Sequence, residues 1–203
     1  MKVNQGDGKD FEQPEPGSYA ATCYSLVDLG TQKGSYEGKE TNKRQIKIQW
    51  ELSELMADGR PFSVMATPTM SINDKAKLRG WLEAWRGMPF TSSELEGFDL
   101  KNLLGQSCLI SLGLTSGGKI KVIGVSKLPK EMVAPPQVNE NFYFSLDAYD
   151  QTVYEKIPDY WQIKICSSPE YQQGGDVGGG PGVGPDEQGG LMEGQAPEDE
   201  PPF

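Results

Sequence analysis

Between positions 33 and 47 the chain interleaves cations with an aromatic ring: Lys33, Tyr36, Lys39, Lys43, Arg44 and Lys47, against Glu37 and Glu40. Cations spaced along an extended segment can track a line of phosphates. A ring among them offers a flat face on which an unpaired base stacks, worth roughly 1–3 kcal/mol per base. The stretch KGSYEGK places glycines around that tyrosine. An ordinary solvated hairpin loop has the same composition, so the elements that position these residues decide between the two. Lys119 and Lys121 form a second basic pair, and Tyr24 and Phe62 face either a ligand or the core, which alternation does not decide.

Other chemistries are poorly supplied. There is no histidine, and Cys23, Cys108 and Cys166 are far apart with no C-x-x-C pair. Zinc sites of the usual spacing, His-based triads and a disulfide framework are thereby disfavoured, and a reducing, intracellular setting is expected. Asp147 with Asp150, or Glu51 with Glu54, would make metal-binding pairs, but such pairs arise easily among 29 acids. The stretch GLTSGGK lacks the spacing of a phosphate-binding loop and has no Ser or Thr after Lys119. The expectation is a protein that is not an enzyme and takes no metal or cofactor.

The segment GSYAATCYSLVDLG (17–30) reads as a strand between two glycines, and TQKGSYEGKETNK as a long loop. KRQIKIQWEL alternates cleanly: Ile46, Ile48, Trp50 and Leu52 on one face, Lys43, Gln45, Lys47, Gln49 and Glu51 on a polar outer one. Asp58-Gly59 is a hairpin turn into a third strand, PFSVMATPT. From Ser71 to Met88 the period changes to Leu78, Trp81, Leu82 and Trp85, an amphipathic helix with a capping-box-like start at Ser71 and Asp74. TSSELEGFDLKNLLG adds short helical turns up to Gly105, and a second hairpin follows with its turn at Ser116-Gly117-Gly118.

Three strands, a helix and two strands are the element order of an OB-fold, a five-stranded Greek-key barrel that binds oligonucleotides on its second and third strands. The predicted class is therefore mainly β with helical insertions, an α+β fold. The predicted organisation is an N-terminal arm (1–16), the core (17–128), an aromatic-rich extension packing on it (129–173) and a disordered tail (174–203). That tail holds ten glycines, five prolines and seven acids with no Lys or Arg, so most of the net charge of −10 belongs to it. Neither a signal peptide nor a membrane span is recognisable, since the longest apolar stretch is broken by Gly105, Gln106 and Ser107.

The tail finishes on APEDEPPF. An aromatic there gains nothing for solubility and is buried only by a partner's pocket, while two prolines hold the segment extended. The segment resembles the acidic tip of bacterial single-stranded DNA-binding proteins, which join an OB-fold to a Gly/Pro-rich linker and end in Pro-Phe. Several phage-encoded single-stranded DNA-binding proteins end in a similar way. The acidic run is shorter here, without consecutive aspartates, and Pro201 stands where an aliphatic residue is usual.

The body is similar to proteins of phage replication modules at IQWELSE, LRGWLEAWRGMPFTSSELEGFDLKNLLG and CSSPEY. The resemblance implies a protein that coats single-stranded DNA in replication, recombination and repair, in the cytoplasm of a bacterial host. It implies that Phe203 and Pro202 dock on replication and repair proteins, that Glu198, Asp199 and Glu200 steer them, and that the tip competes with DNA. The rival expectation is an adaptor or inhibitor that binds host replication proteins without affinity for DNA. Whether the chain forms homo-oligomers stays open.

Overall fold

The alternating segment around Trp50 is the middle of a 17-residue strand, β2 (Lys39–Leu55), paired antiparallel with a 20-residue strand, β1 (Gly17–Tyr36). The computed structural model describes residues 12–36, 38–134 and 136–174, with the backbone alone at 36. Most of the N-terminal arm and all but the first residue of the acidic tail lie outside them, as do the expectations placed there. The remaining strands are β3 (Pro61–Ala66), β4 (Ser107–Leu114), β5 (Ile120–Ser126) and β6 (Phe142–Phe144). The helices are α1 (Lys77–Arg86), α2 (Ser92–Glu96), α3 (Gln151–Tyr154), α4 (Asp159–Cys166) and α5 (Pro169–Gly174), with a 3₁₀ turn at Leu100–Leu103.

The sheet order is β3-β2-β1-β4-β5, with β6 added parallel to β1. The end strands β3 and β5 touch, but no ladder joins them among the described residues, so this α+β fold has an open six-stranded sheet. The gap falls where the barrel expected from the element order would close. No helix among the described residues is long and apolar enough to cross a membrane.

β1 does not end at Gly30. Its pairing with β2 continues to Tyr36↔Lys39, so the expected long loop is a two-stranded ribbon. Gly38, with φ 74°, takes the left-handed conformation a tight turn requires. The ribbon escapes sequence reading because its side chains are polar on both faces, while its backbone pairs regardless of them.

Two irregularities in β1, after Cys23 and after Asp28, bend it and let it serve two surfaces. Leu26 faces an inner core with Ile48, Trp50, Leu52, Ile110, Leu78, Leu82 and Trp85. Val27, the next residue, faces the opposite side and packs with Leu29 against Phe144, Tyr154, Ile157, Trp161 and Ile165. Consecutive buried residues are the mark of a strand covered on both faces. The cover on the second side is β6 and the helices after it.

The helical stripe behaves as its period requires, since Leu78, Trp81, Leu82 and Trp85 are all buried. Trp85 Nε1 donates to the Ser107 carbonyl at 2.8 Å, tying α1 to β4. The start of the helix differs from the expectation. α1 begins after Ala76 with no side-chain cap, and the Asp74 carboxylate instead accepts from Arg79 Nη1 at 2.5 Å. The capping box lies one helix later, where Thr91 and Glu94 exchange side-chain and backbone bonds at the start of α2.

Candidate nucleic-acid interface

In an antiparallel ribbon, directly opposed residues share a face. Lys43 opposes Gln32, Arg44 opposes Thr31 and Lys33 opposes Asn42. The ribbon therefore divides the basic candidates. Lys39, Lys43 and Lys47 lie in one row on β2, four residues or about 13 Å apart, while Lys33 and Arg44 belong to the other face. Lys33, Lys39 and Lys43 are exposed. None of the three has an ion pair among the described residues.

Arg44 is not a free cation. Its guanidinium pairs with Asp28, whose side chain is 6% exposed, and Nη2 also donates to Asp147 Oδ1 at 2.9 Å. The hydrogen bond to Asp28 raises its pKa further above the ordinary arginine range. Asp28 also accepts from the backbone of Gly30 at 3.0 Å and Leu146 at 3.2 Å. Arg44 thus neutralises a buried carboxylate where the extension meets β1, and both carboxylates already occupy its guanidinium.

Lys47 is buried rather than solvated, at 4% exposure. Its ammonium donates to Gln49 Oε1 at 2.6 Å and lies 5.0 Å from the centre of the Trp161 ring. Burial pushes its pKa down from 10.5 to about 8. Further along the same face Glu51, 1% exposed, accepts from Val138 N at 2.7 Å, Asn139 N at 2.9 Å and Asn139 Nδ2 at 2.6 Å. The polar outer face expected on β2 is thus roofed from Lys47 to Glu51 by the extension, and is open on the ribbon at Lys43.

Tyr24 stands at the first irregularity of β1, half-buried, with its hydroxyl 2.7 Å from Ser63 Oγ on β3. Phe62 belongs to the inner core. The side chain of Tyr36 lies outside the described residues. Lys119 and Lys121 are exposed on the β4–β5 hairpin, which pairs with the start of β1 while the ribbon is its far end. The structure does not bring them to the ribbon row. Of the acids weighed as metal ligands, Asp147 and Glu51 are occupied as above, and Asp150 caps α3 through Thr152 N at 2.8 Å. Glu198, Asp199, Glu200, Pro202 and Phe203 lie outside the described residues.

Sequence reading missed a contribution from α4. Tyr160 is 61% exposed and meets Trp161 edge to face at 5.0 Å. Lys164 Nζ lies 5.2 Å from the Tyr160 ring centre and 5.4 Å from that of Trp161. The helix is pinned to the ribbon, because Gln32 Nε2 donates to the Lys164 carbonyl at 3.0 Å and Gln32 is the cross-strand partner of Lys43. Tyr160 and Lys164 are one helical turn apart, a signal usable only once the phase of α4 is known. As a run of aromatics the region reads as packing, which is true of Tyr154 and Trp161 and not of Tyr160. No protein-family model matches the chain, and no curated protein matches it significantly.

Proposed function

We propose that the protein binds single-stranded DNA along the ribbon face of β2, as a coating protein of the kind phage replication and recombination modules encode. The observation that carries this reading is the pair of exposed lysines, Lys39 and Lys43, on the ribbon to which α4 is pinned, with the exposed Tyr160 and Lys164 on that helix. Cations in line with aromatic rings meet the two requirements of single-strand binding, phosphate neutralisation and base stacking. The order β3-β2-β1-β4-β5, with α1 between β3 and β4, also fits an OB barrel opened between β3 and β5. In this reading the acidic segment with Glu198, Asp199, Glu200, Pro202 and Phe203 recruits partner proteins and competes with DNA for the basic row.

The test is a titration of labelled oligo-dT with the intact protein at rising salt. Binding should weaken with a log–log slope of roughly −0.7 per phosphate neutralised. Duplex of the same length should bind less tightly, and removing residues 197–203 should strengthen binding at low salt. Absence of oligo-dT binding at low salt, with or without those residues, overturns the reading.

A further inference from the structure

We propose that α4 supplies the base-stacking wall of this interface: Tyr160 stacks on an unpaired base, while Lys164 and Lys43 hold the phosphates on either side of it. The inference rests on the single-strand reading above and adds a site from outside the basic ribbon. Tyr160, Ile163 and Lys164 fall at i, i+3 and i+4 and so share one face of the helix. Tyr160 is 61% and Ile163 69% exposed, apolar surface that neither core uses. Lys164 sits over the Tyr160 ring and the residue is still mostly exposed, which leaves surface for a base beside a bound phosphate.

The wall is rigid because its neighbour Trp161 is anchored. Trp161 is 8% exposed and packs in the second core with Lys47 beneath it. Its position beside the ribbon is set by the Gln32 bond to Lys164, opposite Lys43. The carboxylate next to the ring, Asp159, lies about 100° around the helix from Tyr160, at the Ile163 edge of this face. A base already stacked in a duplex offers no free face to Tyr160, so the wall selects single strands.

The experiment measures anisotropy of labelled oligo-dT, and of an abasic oligomer of equal length, with the full chain and its variants. Tyr160→Ala should bind oligo-dT at least fivefold more weakly and the abasic oligomer as the parent does. Tyr160→Phe should bind as the parent, since it keeps the ring. Lys164→Gln should reduce the salt slope by about 0.7 on both oligomers. Tyr160→Leu, which keeps the bulk and loses the ring, repeats the comparison should alanine loosen α4.

Equal binding of oligo-dT by parent and ring-less variants overturns the stacking wall and leaves the single-strand reading standing. A loss of equal size on both oligomers also overturns it, because stacking needs a base. Failure of the parent protein itself to bind oligo-dT overturns both.

Discussion

Lys47 lies beneath Trp161, its ammonium 5.0 Å from the ring centre, on the face of β2 that alternation assigns to solvent. The contact joins the basic row to the second core. It also buries a charge, and that has a measurable cost.

Folded Lys47 gives up its proton at about 8, against 10.5 ordinarily. Below pH 8 it is charged in both states and its burial lowers stability. Between about 8 and 10.5 the unfolded chain binds more protons than the folded one, so this group makes stability rise with pH. Lys47→Met should remove that rise and stabilise the protein at pH 7, measured by urea unfolding at pH 7 and 9.5. A less stable variant at pH 7 would mean that the contacts to Gln49 and Trp161 outweigh the cost of burial.

Lys43 and Arg44 are neighbours with opposite duties. Arg44→Ala strands the buried Asp28 carboxylate and should cost about 3 kcal/mol of stability. Lys43→Glu should change stability by less than about 0.5 kcal/mol, yet weaken oligo-dT binding and flatten its salt slope. Thermal melts and titrations of both variants separate the roles.

Glu51 holds the connector before β6 through three donors. Glu51→Ala removes the acceptor of these part-buried donors and should destabilise by about 1–3 kcal/mol. Amide exchange at Val138 and Asn139 should accelerate more than at Leu26, deep in the inner core. Unchanged exchange at the two amides would show that water or other acceptors replace the carboxylate.

Gly30 has φ 68°, and a Cβ there would stand 2.4 Å from Ser168 Cβ and Oγ and 2.9 Å from Leu146 Cδ1. Gly30→Ala should therefore loosen the docking of α4 and α5 on β1, at a cost of about 2–4 kcal/mol. Adding Ser168→Gly should recover only the part owed to that clash, since the backbone strain remains. Equal stability of Gly30→Ala and parent in urea would refute the close approach.

Much of the inner core is legible in the sequence. The alternation of Ile46, Ile48, Trp50 and Leu52, the stripe of Leu78, Trp81, Leu82 and Trp85, and the turns at Gly59 and Gly118 are where pattern and turn chemistry place them. These features are local, because period and left-handed glycines act within a few residues. The cap at Ser71 misled for the same reason: its spacing suits a helix start, but Asp74 found Arg79. The ribbon at 31–43 is unreadable because its residues are almost all polar, so no apolar period marks it.

Local pattern along the chain sets which residues favour strand or helix, which face of β2 and α1 seeks an apolar core, and where basic and aromatic chemistry is concentrated. Which of those cations remain open is settled by long-range packing. Lys39 and Lys43 stay in solvent, Lys47 is sealed under Trp161, Arg44 is committed to Asp28, and Tyr160 is turned outward beside them. The cause is distance along the chain. The roof over β2 comes from residues 138–165, about a hundred positions downstream, and no local period records which outer face a distant segment will cover.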